Sequence, residues 1–76
     1  MNITIYTKSG CPNCVTAKQL MKSKSLNYTE YWIDANTVAE QKMKDSNIKQ
    51  MPAIYINNQF VGGLAGLQAA LKQVGL

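Results

Sequence analysis

Two cysteines, Cys11 and Cys14, stand three positions apart in the segment TKSGCPNCVTAK, residues 7 to 18. The chain has no other cysteine and no histidine, so three uses of the pair compete. As a structural staple it would close a tiny loop, and such loops stabilise a fold least. As a metal site it would supply two thiolates where structural zinc takes four sulfur or imidazole donors, leaving two to come from a second chain. As a working dithiol it needs neither metal nor general base, only one sulfur held as the thiolate.

The local sequence provides for that third use. Proline at position 12 favours the first turn of a helix, where its missing N–H costs nothing, so Cys11 falls at the cap of that helix. There the unpaired N–H groups of the first turn and the positive end of the helix dipole face its sulfur. Lys8, three residues upstream on the same loop, adds a cation that lowers the thiol's pKa further if its ammonium approaches. Cys11 is therefore expected to titrate below an ordinary thiol, with Lys8 and Pro12 as the tuning residues. Cys14, one turn inside the helix and expected to be buried, stays protonated until needed. The division of labour follows: Cys11 attacks a substrate disulfide, and Cys14 resolves the resulting mixed disulfide.

The surrounding pattern says what must position these sulfurs. Residues 2 to 7 alternate Ile3 and Ile5 with polar or amphipathic neighbours and read as a strand. From Pro12 to about Ser25, Cys14, Ala17, Leu20 and Met21 recur at helical spacing, with Lys18 and Lys22 on another face. Residues 27 to 33 read as a second strand. Thr37 with Glu40 three positions on predicts a capping box opening a short helix to about Asp45. After Met51-Pro52, the strands 53 to 56 and 59 to 61 flank Asn57-Asn58, a pair that tolerates positive φ and suits a two-residue hairpin. Gly62-Gly63 breaks the last strand, and Leu64, Leu67, Leu71 and Val74 mark one face of a terminal helix. The order β-α-β-α-β-β-α predicts an α/β fold: a four-stranded mixed sheet with three flanking helices, the first two strands parallel through a right-handed crossover. Its expected core is Ile3, Ile5, Ile54, Ile56, Leu67 and Leu71.

Composition narrows the function further. At 76 residues, 46% hydrophobic and 16% charged, the chain reads as a single globular domain over residues 1 to 76, because so short a chain cannot bury two cores. Neither a signal peptide nor an apolar run of the ~20 residues needed to span a bilayer is apparent. The expectation is a cytoplasmic monomer with no membrane partner, in a reducing compartment where a cysteine pair serves catalysis or metal binding rather than structure. Eight lysines against four acids give a net charge of +4. With no arginine to read bases or phosphates, a solvated basic surface is the reading taken, and no nucleic-acid partner is expected. The distribution is uneven: all four acids, Glu30, Asp34, Glu40 and Asp45, precede residue 46, while the last third carries only Lys49 and Lys72.

Four segments in order, ITIYTKSGCPNC at 3 to 14, Asp34 after the second strand, KQMPAIYI at 49 to 56 and FVGGLAGL at 60 to 67, make the chain similar to the glutaredoxins of the thioredoxin superfamily over nearly its whole length. The resemblance implies a thioredoxin-like fold with a cis Met51-Pro52 bond facing the cysteines, leaving the Met51 backbone free to pair with a substrate's cysteine residue. It implies no bound cofactor and no metal, glutathione as co-substrate, and a binding surface drawn from Lys8, Asn13, Gln50, Met51, Pro52, Gly62, Gly63 and Leu64. Disulfide-containing proteins, among them ribonucleotide reductase, are the implied partners. The chain departs from the family at Leu64-Ala65-Gly66, where many members carry aspartates that bind the charged end of glutathione, and at Asn13, which replaces a common aromatic residue. The missing aspartates favour a rival reading, a thioredoxin-like electron donor recharged by a flavoprotein reductase without glutathione, whereas Lys8 and the Gly62-Gly63 turn do not. A third reading, a non-catalytic carrier of an iron-sulfur cluster shared between two chains, fits poorly with Pro12, by resemblance to redox-active members.

Overall fold

The alternation of Ile3 and Ile5 sets the first strand, which pairs with a strand on each side. The computed structural model describes residues 1–76, with the order β1 (Ile3–Thr7), α1 (Pro12–Ser23), β2 (Thr29–Trp32), α2 (Thr37–Asp45), β3 (Ala53–Ile56), β4 (Gln59–Gly62) and α3 (Leu64–Gln73). The four strands lie in the order β2-β1-β3-β4. β1 runs parallel to β2, with Tyr6 opposite Tyr31, and antiparallel to β3, with Ile5 opposite Ile54. β3 returns as β4 through Asn57 and Asn58, which take φ of 52° and 66°. Both central residues of the hairpin are thus left-handed, a twist that matches the flanking strands.

Strand alternation divides the interior in two. Ile3, Ile5 and Ile54 meet Ala17 and Met21 of α1 and Leu67 and Leu71 of α3. At roughly 1.5–3 kcal/mol for each large aliphatic side chain taken from water, this cluster is the main source of stability. Tyr6 and Ala53, on strands β1 and β3, join Ala39 and Met43 of α2 in a second cluster that also contains Cys11, Cys14 and Met51. The reactive segment is therefore part of a core, held by the same packing that holds the sheet.

At the end of β1 the fully buried Thr7 donates its hydroxyl to Glu30 Oε2 at 3.1 Å, and the same oxygen accepts from Lys18 Nζ at 2.7 Å. The ammonium also lies 4.8 Å from the Trp32 ring centroid. This satisfied polar group ties α1 to β1 and β2 one helical turn below Cys14.

The structure corrects several expectations. Asn36, not Thr37, caps α2: its Oδ1 accepts from the N–H groups of Val38 and Ala39 at 3.0 and 3.1 Å. Thr37 is already helical, so the expected capping box does not form, and Glu40 faces Lys44 at 3.6 Å instead. α1 stops at Ser23 because Ser25 turns left-handed (φ 56°), sending its N–H to Lys22 O and that of Leu26 to Met21 O. The same two-bond closure ends α2 and α3; sequence periodicity runs past the ends of α1 and α3, while α2 stops at Asp45 as expected. Val74 is accordingly the cap of α3, 60% exposed, rather than part of its buried face. β2 is shorter than residues 27 to 33. Ile56, expected in the core, is half-buried at the hairpin end, where it packs against the core from the side.

α3 lies on β4 so closely that a Cβ built at Gly66 would fall on the Val61 carbonyl. Gly66→Ala should destabilise the protein by about 1–3 kcal/mol in urea unfolding, through overpacking, although alanine is the better helix former by ~1 kcal/mol. A variant as stable as the parent would show that this close approach is not required.

Candidate active site

Cys11 is extended (φ −109°, ψ 100°) immediately before Pro12, and its Sγ accepts the Cys14 N–H at 3.2 Å. A sulfur thus occupies the place that serine, threonine, asparagine or aspartate fills at an ordinary helix start. No acidic residue stands in the first turn of α1, so nothing there offsets the positive helix end. Cys11 and Cys14 are joined as a disulfide, their Cα atoms 5.3 Å apart. Of the two, Cys11 is the more accessible, 9% exposed against 2% for Cys14.

The opposite wall is the loop before β3. The Met51-Pro52 peptide bond is cis, as the family resemblance implies, and Met51 O lies 3.4 Å from Cys11 Sγ. A free thiol there donates to that carbonyl; a disulfide sulfur has no proton to give. The Met51 N–H makes no hydrogen bond within the chain, which leaves it available to a ligand.

Beside the disulfide runs a groove of about 570 Å³, within the range of small-ligand sites. Of the residues expected to bind, Asn13, Gln50, Met51, Pro52, Gly62, Gly63 and Leu64 all line it. Gly63 sits close to Pro52, where a Cβ would lie 3.4 Å from the proline carbonyl oxygen. Lys8 is exposed on the loop before Cys11, outside this lining, with no ion pair or hydrogen bond. Reading the sequence overlooked Lys49, Phe60 and Ala65, which also line the groove. Their signal was adjacency: Lys49 precedes Gln50, Ala65 follows Leu64, and Phe60 is the outward residue of β4 nearest the glycine pair.

Asp34 fixes the approach to Cys11. Its Oδ2 accepts the Ser9 N–H at 2.9 Å, and hydrogen bonds from the Ser9 side chain and backbone hold its carboxyl below the ordinary aspartate value. The end of β2 is thereby pinned to the loop that carries Lys8 to Gly10.

A thioredoxin-like sheet with a vicinal cysteine pair at the start of its first helix defines a thiol-disulfide oxidoreductase. The glutaredoxin family model matches residues 3–61. Glutaredoxin 3 of Escherichia coli K12 is 40% identical over 76 residues, covering 99% of this chain and 92% of that protein. The structure of glutaredoxin 1 from Francisella tularensis, complexed with cacodylate, superposes with a TM-score of 0.80 at 29% identity, covering 96% of this chain and 94% of that one. NrdH-redoxin, a glutaredoxin-like protein of Escherichia coli, gives a TM-score of 0.80 over 91% of this chain and 93% of that one, but at 21% identity it is a likeness of fold. The chain belongs to the glutaredoxin family.

Because the Asp34 carboxyl is held low in the folded state, its contribution is complete above the ordinary aspartate value and is lost as pH falls through the folded one. Urea midpoints should therefore decline in strongly acidic solution less steeply for Asp34→Asn than for the parent. Identical acid dependence in the two proteins would mean that the Ser9 tether carries no stability.

Proposed function

We propose that the protein is a glutathione-linked dithiol oxidoreductase of the cytoplasm that reduces protein disulfides and glutathione mixed disulfides, with Cys11 as the attacking and Cys14 as the resolving sulfur. The observation that carries this reading is the Cys14 N–H held 3.2 Å from Cys11 Sγ at the start of α1. That donor and the helix end favour the thiolate. The Met51 carbonyl, 3.4 Å away on the other side, works against the anion, because it accepts from a thiol and repels a thiolate. The reading requires the N–H donor and helix dipole together to outweigh that single carbonyl.

In the forward half-reaction Cys11 thiolate attacks one sulfur of a disulfide, forming a Cys11 mixed disulfide and expelling the other sulfur as a thiolate that takes a proton from water. Cys14 then loses its proton and attacks Cys11 Sγ. The Cys11–Cys14 bond forms, the second product leaves as a thiolate, and two electrons have passed to the substrate. Two glutathione thiols return the pair to the dithiol and leave as glutathione disulfide, so glutathione is a co-substrate and no resident cofactor or metal takes part. In the groove Met51 offers its unused N–H to the backbone of the substrate's cysteine residue, a short strand-like pairing. Pro52, Gly62 and Gly63 keep the surface open for it, while Asn13, Gln50 and Leu64 line its sides. The partners are disulfide-bearing proteins, with ribonucleotide reductase as one candidate. Lys8, exposed on the Cys11 loop, adds positive potential to the approach.

One observation favours a second reading. The first turn of α3 carries no acid and no side-chain cap, so the groove offers no carboxylate to the ammonium of glutathione. This suits a protein that supplies electrons to its target in the manner of a thioredoxin and is recharged by a flavoprotein reductase.

Turnover coupled to glutathione and glutathione reductase, compared with thioredoxin reductase, decides between the two: the first system should support activity, and activity with the second alone would overturn the glutathione assignment. Cys11→Ser should abolish exchange. Cys14→Ser should accumulate a mixed disulfide, detectable by intact mass, while keeping activity on small glutathionylated substrates. Equal loss in both variants would contradict the assigned roles.

A further inference from the structure

We propose that the groove beside the disulfide selects its partners by charge, taking an extended protein segment that bears carboxylates next to the disulfide cysteine and discriminating against one that bears ammonium groups. This deepens the oxidoreductase reading and rests on it.

The chain has four carboxylate side chains, and each is engaged away from the groove. Glu30 holds Lys18 and Thr7 under α1. Asp34 accepts from Ser9, Glu40 faces Lys44, and Asp45 accepts from Gln41 at 2.8 Å. None of them lines the groove. Lys49 does; it is exposed and has no acidic partner. The other polar side chains there, Asn13, Asn47 and Gln50, are neutral amides. Ala65, exposed in the first turn of α3, stands where a carboxylate would face the groove, and the first turns of both α1 and α3 are free of acid.

The potential in the groove is therefore positive with no countercharge built into it. A ligand carboxylate gains a partner on entering, whereas a ligand ammonium meets a like charge and nothing to pair with. The unused Met51 N–H beside Cys11 fits a peptide backbone, which makes the preferred occupant a protein segment. Since the groove is open to water, each charge contributes only a few-fold in affinity, and discrimination accumulates over the residues flanking the cysteine.

The experiment uses the intact, prereduced protein in single turnovers, so that no electron donor enters the comparison. Three peptides share one mixed disulfide and differ only in the two residues flanking the cysteine, both Asp, both Asn or both Lys. A neutral small disulfide serves as reference. The second-order rate constant should fall in the order acidic, neutral, basic, with the acidic and basic peptides about tenfold apart at low salt, and the gap should narrow as salt screens it. Lys49→Glu should bring the ratio to one or below, and Ala65→Asp should lower it several-fold without loss of urea stability, an acid being favourable at a helix start. Lys72→Glu makes the same change in net charge at the far end of α3, roughly 12 Å along the helix, and should leave most of the preference in place.

Equal rates for the three peptides, or a ratio that Lys49→Glu and Lys72→Glu reduce alike, would overturn charge selection by the groove while leaving the oxidoreductase intact. Failure to reduce any peptide or the neutral disulfide would overturn both.

Discussion

The structure turns on a sulfur placed where a helix begins. Cys11 Sγ receives the Cys14 N–H and faces the positive end of α1, and it can do so because Pro12 starts the helix while β1 and the Asp34–Ser9 tether deliver the chain to that point. The two cysteines are also members of the buried cluster formed with Tyr6, Ala39, Met43 and Ala53. Reactivity and packing are therefore not separable: moving the start of α1 by a fraction of a turn would cost core contacts as well as the capping interaction. The opposing Met51 carbonyl sets a limit on the same sulfur, so its proton affinity reflects a balance between donors on the helix side and an acceptor on the loop side.

Much of this was legible in the sequence, for definable reasons. Alternation in residues 3 to 7, helical spacing in residues 14 to 21 and the Asn57-Asn58 doublet each report a local preference that the tertiary structure keeps. The parallel pairing of β1 with β2 follows from the crossover and that of β3 with β4 from the hairpin turn, whereas the place of β3 beside β1 is set by the tertiary fold. Pro12 reports the start of α1, and with it Cys11 at the cap and Cys14 inside the helix. What was not legible depends on three-dimensional competition. Asn36 and Thr37 are both good caps, and which one wins is decided by where the chain leaves β2. Left-handed Ser25 and Asn47 end their helices for reasons of packing after the terminus, with Leu26 and Ile48 turned back onto the core. Ile56 satisfies the strand pattern yet sits at the hairpin end, where it is only half-buried.

At the site, the glycine pair and the proline could be named in advance, but the groove they form could not, because its remaining walls come from residues with no chemical signature of their own. Phe60 and Ala65 matter through position alone, and Lys49 through a charge that only the fold brings to the groove. The uneven charge along the chain acquires its meaning here: the acid-poor last third supplies most of the groove, and the four acids are spent on the sheet edge, the Cys11 loop and α2.

The most direct measurement is the rate of iodoacetamide alkylation of Cys11 in a reduced Cys14→Ser protein, followed against pH. The account predicts a labelling midpoint clearly below that of an unstructured peptide carrying the same thiol, with substantial reactivity retained in mildly acidic solution. A midpoint at or above that of the peptide would show that the helix end does not hold the thiolate, and the proposed chemistry would lose its physical basis.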